Sequence, residues 1–148
     1  MIFTHSQRGV TLIELVVAMI IVGILAAVAI PSYRAYVIRS QRSDAKDSLL
    51  ALATQQEKHY LQCNTYATAI ADATSCPDEL QGTDASKNGW YDLTINAADA
   101  TTFTVSATAI AGERQDQDDE CQSFTVDQAG VRTAEDSGGA DNTDECWR

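Results

Sequence analysis

Three groups of residues in this 148-residue chain have types and spacings that bear chemistry. The first is a carboxylate inside an apolar run. Residues 10–30 read VTLIELVVAMIIVGILAAVAI, and Glu14 lies four residues past Val10. An unpaired charge in apolar surroundings is expensive, so it needs a cation or a route to water. Two readings stand: a side chain that snorkels out at an interface, and a charge awaiting a cation from another chain. The second group is Cys63, Cys76, Cys121 and Cys146, all downstream of the apolar run. An even count in a small domain reads as two disulfides made in an oxidising compartment. With no Cys-x-x-Cys and no Cys/His pair at zinc spacing, metal ligation is not expected. Three connectivities exist; Cys63–Cys76 and Cys121–Cys146 are favoured because each closes a short loop beside an expected element. The third group is Asp116-Gln-Asp118-Asp119-Glu120. An EF-hand loop would place Gly where Cys121 stands and Glu where Asp127 stands. An irregular calcium site drawing on Asp136 or Asp141 ranks behind a solvated acidic loop, and no metal or cofactor is expected. No nucleophile elbow or phosphate-binding glycine loop is present, and the two histidines are His5 and His59. The chain reads as a non-enzyme.

The elements that position these groups begin with the apolar run. At 1.5 Å per residue, 21 apolar residues make about 30 Å of helix, the thickness of a bilayer's hydrocarbon core. The run is longer than a signal peptide's apolar region and lacks a small-x-small end, so it is retained. Pro31 closes it and is a kink point, and Gly23 is a second weak point. Residues 32–62 continue as an amphipathic helix. Ala45, Leu49, Leu52, Gln56 and Tyr60 share one face, with Asp44, Lys46, Asp47, Glu57 and Lys58 opposite. His59 reads as a solvated or packed residue.

Beyond the helix, residues 63–88, with Cys63, Tyr66, Cys76, Pro77 and Gly82, lack periodicity and read as a pinned loop. Trp90–Ile95, residues 103–109 and Phe124–Val126 alternate as strands. Gln128-Ala-Gly130 is a turn signal, and Val131 begins a return strand. Residues 134–145 hold no core-forming residue and read as a surface loop. The class is α+β, a long helix on a three- or four-stranded antiparallel sheet. The net charge is −11, with Arg34, Arg39, Arg42 and Lys46 just after the apolar run and acid concentrated from Glu113 onward. That polarity serves solubility or draws a basic stem toward the acidic tail of another copy. Such an acidic head is a poor ligand for nucleic acid, which is not an expected partner.

The stretch Arg8-Gly9-Val10-Thr11-Leu12-Ile13-Glu14-Leu15 resembles the prepilin peptidase motif of type IV pilins and pseudopilins, with Val where Phe is commonest after the cut. The resemblance implies cleavage between Gly9 and Val10, N-methylation of the Val10 amine, and Glu14 at the fifth mature position. It implies a leader at 1–9, a transmembrane and filament-core helix at 10–31 containing Pro31, and a periplasmic pilin head at 32–148. Asn88-Gly-Trp-Tyr91, the Phe103 strand, Cys121, the 128–130 turn and Cys146-Trp147 are similar to PilE-type minor pilins of type IVa pili. The implied function is a structural, minor subunit of a type IV pilus, supporting adhesion, twitching motility or DNA uptake. Its implied partners are other pilin subunits, the prepilin peptidase, the inner membrane before assembly, and the inner-membrane assembly machinery. The subunit would sit in the inner membrane and then in the extracellular filament. Arg34, Arg39 and Arg42 outnumber Arg8, which the positive-inside rule would read as the opposite orientation; the processing motif takes precedence, because the peptidase meets the leader on the cytoplasmic side. A DNA-binding pilin of the uptake machinery and a type II secretion pseudopilin are the alternatives.

Overall fold

The computed structural model describes residues 10–71, 76 and 79–148. Residues 1–9, the expected leader with Gly9, lie outside the described residues, as does Pro77. The chain divides into two compact units, Met1–Tyr36 and Val37–Arg148. Helix α1, Leu12–Cys63, passes through the boundary and holds Pro31 within it. Thr11 caps its start, its Oγ1 accepting from the Glu14 amide at 3.3 Å. A Thr with Glu three residues on is a helix-start pattern, since the hydroxyl satisfies an amide that has no intrahelical acceptor. At the other end Asn64 adopts φ 55° and donates its amide to the Tyr60 carbonyl at 2.8 Å. Asparagine tolerates this left-handed geometry and so ends the helix there.

In the second unit, α1 buries Arg42, Asp44, Ala45, Leu49, Leu52, Gln56 and His59. The three- and four-residue spacing puts them on one face. Ala45, Leu49, Leu52 and Gln56 lie where the pattern places them, whereas Tyr60 is half-buried. Asp44 corrects the expectation of a solvent face: it is buried, because the head supplies donors for it.

The main sheet is antiparallel, with strands in sequence order: β3 Tyr91–Ala98, β4 Phe103–Ala109, β5 Ser123–Asp127 and β6 Arg132–Glu135. Its register aligns Leu93, Ala107, Phe124 and Ala134 across all four strands. All four are buried. Alanines on either side of Phe124 leave room for its ring, which meets Tyr91 and Trp147 edge-on at 5.9 and 5.7 Å between centroids. Tyr66 meets Phe103 the same way at 4.8 Å. Gly130, at φ 73°, makes the turn into β6.

Two stretches hold more structure than their composition suggests. Residues 63–88 contain a parallel pair, β1 Ala69–Ala71 with β2 Glu79–Gln81. Parallel strands this short give no readable alternation. The stretch 134–145 contributes Ala134 to the core and begins the short helix α2, Thr143–Cys146. Cys121 and Cys146 are bonded with Cα atoms 5.7 Å apart, and Cys63 and Cys76 with Cα atoms 5.5 Å apart. The bond across 25 residues removes about 3.5 kcal/mol of loop entropy from the unfolded chain on the chain-entropy account.

The β3–β4 hairpin turns on Asp99. Its Oδ1 accepts from the amides of Thr101 and Thr102 at 2.6 and 2.7 Å, and its Oδ2 from the Thr102 hydroxyl at 2.9 Å. These donors, the backbone amides first, hold the carboxylate's pKa down to about 2 from 3.8. A depressed folded-state pKa stabilises the fold above the unfolded value and loses that contribution as pH falls. We therefore expect this turn to loosen only between about pH 4 and pH 2, with the Asp99 carboxyl titrating near 2 by NMR; a midpoint near 3.8 would show that the amides do not hold it.

Candidate functional site

Among the described residues, those from Val10 to Ile30 present an almost wholly apolar surface. From Val10 to Ile30 the large aliphatic side chains are exposed by between 43% at Val16 and 80% at Leu12. The helix there is apolar and long enough to cross a membrane. Val10 precedes the first helical residue, and Glu14 sits in the first turn. The Glu14 carboxylate is exposed, and among the described residues no ion pair engages it. The helix macrodipole favours a carboxylate there, but only modestly. Thr11 contributes to this end of the helix as its cap, and the Thr-x-x-Glu spacing is the signal in the sequence for it.

Within the second unit, the stretch of α1 from Val37 onward is held to the sheet and loops by polar groups at three heights. At the first, Arg42 makes a two-pronged ion pair: Nε donates to Asp118 Oδ2 and Nη2 to Asp118 Oδ1, both at 2.7 Å. Nη2 also donates to Glu120 Oε2 at 2.8 Å. Gln115 Nε2 bonds Asp118 Oδ2 at 3.0 Å and the Ile38 carbonyl at 3.3 Å. Arg42 and Asp118 are nearly sealed from solvent, while Glu120 is 58% exposed. Burial opposes the guanidinium charge, but the bonds and charges of Asp118 and Glu120 outweigh it and hold its pKa above the ordinary arginine value. Burial, then the charge of Asp118, pushes the Tyr91 hydroxyl up. At the second height, Asp44 Oδ2 accepts from Ser86 Oγ at 2.6 Å, and Oδ1 accepts from the Asn88 amide and side chain at 3.2 and 2.9 Å. At the third, Gln56 pairs with the Ala67 backbone as a strand would, donating from Nε2 to Ala67 O at 2.8 Å and accepting from Ala67 N at 2.9 Å.

These contacts correct one expectation. Arg42 does not remain in a free basic stem available to another copy's acidic tail. The acids of the 116–120 stretch reach it within the same chain, because that stretch forms a short 3-10 turn, Arg114–Gln117, followed by Asp118. Several other cations lie against aromatic rings: Arg114 over Trp90 at 5.9 Å, and Arg132 and Lys46 over Trp147 at 5.2 and 6.0 Å.

A family profile described as "Type IV minor pilin ComP, DNA uptake sequence receptor" matches residues 31–125. A second, "Prokaryotic N-terminal methylation motif", matches residues 4–30. The type IV major pilin protein PilA of Myxococcus xanthus is 43% identical over 76 residues, covering 51% of this chain and 34% of that protein. The type IV major pilin protein PilE1 of Neisseria gonorrhoeae is 59% identical over 82 residues, covering 51% of this chain and 47% of that protein. The chain thus spans between about a third and a half of the length of these two relatives. Among solved structures, the non-core minor pilin PilV of Neisseria meningitidis aligns with a TM-score of 0.53 at 18% identity, over 71% of this chain and 93% of that one. At that identity the likeness concerns the fold. A long N-terminal helix packed on an antiparallel sheet, with a disulfide in the C-terminal region, is the expected architecture and is borne out.

The Arg42 cluster makes an asymmetric prediction. Asp118→Ala strands a buried guanidinium and should lower the unfolding free energy by about 3–5 kcal/mol. Glu120→Ala removes a solvent-exposed partner and should cost no more than about 1 kcal/mol. Urea unfolding of both variants in detergent checks the difference; equal effects would mean that Arg42 is reached by water.

Proposed function

This chain belongs to the family of the type IV minor pilin ComP, and on that premise we propose that it is a structural, minor subunit of a type IV pilus, assembled through its N-terminal helix. The observation that carries the reading is the exposed apolar half of α1, together with the methylation-motif match that overlaps it. Such a surface is stable in lipid or against other apolar helices, not in water. Prepilin peptidase cuts between Gly9 and Val10 and the new amine is methylated. The helix waits in the inner membrane with the head in the periplasm. Inner-membrane assembly machinery then moves it into the filament core among other pilin subunits. There Glu14 meets the Val10 ammonium of a neighbour, and each charge removes the other's burial penalty. Methylation leaves the positive charge in place and changes its hydration. Pro31 and Gly23 are where the helix yields along the fibre. The family and fold are structural rather than enzymatic.

One observation favours a second reading, contact with duplex DNA: the matching family's description as a DNA uptake sequence receptor. All but one of the chain's 21 acidic residues follow residue 30, and their repulsion of phosphate must be overcome locally. The exposed Arg114 beside Trp90 and Arg132 beside Trp147 are the groups for it. Binding of the chain in detergent to duplex DNA, weakening steeply with salt, would support this reading; no binding at low salt would end it.

The assembly reading predicts that Glu14→Ala subunits accumulate in the membrane at normal levels but enter sheared filaments on the order of tenfold less than wild type. Equal entry would remove Glu14 from the account.

A further inference from the structure

The Asn88-Gly89 pair lies on the surface between β2 and β3, where the head meets α1 through Asp44. Asparagine followed by glycine is the dipeptide most prone to spontaneous loss of its side-chain amide, because glycine leaves the attacking nitrogen unshielded. In that reaction the Gly89 backbone nitrogen attacks Asn88 Cγ. A bond forms between them, the Cγ–Nδ2 bond breaks, and ammonia leaves carrying the proton lost from the Gly89 nitrogen. Water then opens the five-membered ring at either carbonyl, giving aspartate or isoaspartate. Water is the only co-reactant, and nothing is oxidised or reduced.

Both nitrogens of that reaction are held. The leaving nitrogen, Asn88 Nδ2, donates to Asp44 Oδ1 at 2.9 Å, and the Asn88 amide donates to the same oxygen at 3.2 Å. The attacking nitrogen, Gly89 N, donates to the Ser86 carbonyl at 2.9 Å. Ser86 is itself fixed, its hydroxyl donating to Asp44 Oδ2 at 2.6 Å and accepting from the Trp90 and Tyr91 amides at 3.1 and 3.0 Å. Next to it, the Lys87 amide donates to Ser48 Oγ at 3.1 Å. Gly89 has φ +72°, where a side chain would be strained, so the residue that makes the site labile is also required by the turn.

We propose that Asn88-Gly89 is a deamidation site which the Asp44 carboxylate holds unreacted, so that any opening of this loop from α1 becomes a permanent chemical mark. Reaction replaces the amide donor facing Asp44 Oδ1 with a second carboxylate. The two like charges then repel where a hydrogen bond had been. The loop that leads into β3 cannot reseat on α1 in its former way, and the loss is irreversible.

The test is peptide mapping by mass spectrometry of the full chain in detergent at mildly alkaline pH, following the one-dalton gain and isoaspartate at residue 88. The arms are folded wild type, urea-unfolded wild type, Asp44→Ala, and the volume-preserving Asp44→Asn. The expected result is slow conversion in folded wild type, with conversion about tenfold or more faster in urea and in Asp44→Ala. Should Asp44→Ala fail to fold, Asp44→Asn is read in its place, since it lacks the charge but keeps the shape. A folded wild type that converts within twofold of the unfolded chain, or a folded Asp44 variant that converts within twofold of folded wild type, would overturn the proposal.

Discussion

The exposed apolar surface on the first half of α1 is the constraint on which the remaining features depend. A 52-residue helix gives its own head the use of only one end. Beyond Val37 one face of it, from Arg42 to His59, is buried; between Val10 and Ile30 the large aliphatic side chains stay exposed. At about 25 cal/mol for each square ångström, such surface demands a second apolar medium. Among the described residues nothing covers it, and the proposed association through the helix starts from that.

A helix committed at one end to lipid or to other helices must be gripped firmly at the other, and the grip here is largely polar. Arg42, Asp44 and Gln56 each satisfy backbone or side-chain groups of a head segment. Apolar packing of Leu49 and Leu52 is non-directional, so on its own it would permit sliding or rotation of the head along the helix. Hydrogen bonds with fixed partners specify one register. A buried ion pair such as Arg42–Asp118 contributes less to stability than to that specificity, because desolvation offsets most of its attraction. The Glu14 carboxylate stands in the opposite condition: among the described residues it has a helix turn but no cation.

The sequence made some of this legible. The apolar run and the alternating stretches 103–109 and 124–126 follow from periodicity. The helix face Ala45-Leu49-Leu52 follows from spacing. What could not be read was which polar residues the head would claim. Arg42 looks like one basic residue among four, and Asp44 like a surface acid, because burial of a charge depends on partners more than 40 residues away. The parallel pair 69–71 and 79–81 and the buried Ala134 were illegible for a related reason. Three-residue strands and a lone alanine carry no pattern, and their place is set by the sheet and helix around them.

In the proposed function, processing and assembly meet at Val10. The chain in a filament would then begin at Val10, with its amine methylated and both disulfides formed. The most direct measurement is the intact mass of this subunit in filaments sheared from cells. A mass equal to residues 10–148 with one added methyl group and four cysteine hydrogens lost is the predicted result. A subunit that retains residues 1–9, or that is missing from filaments while present in the membrane, would contradict the account.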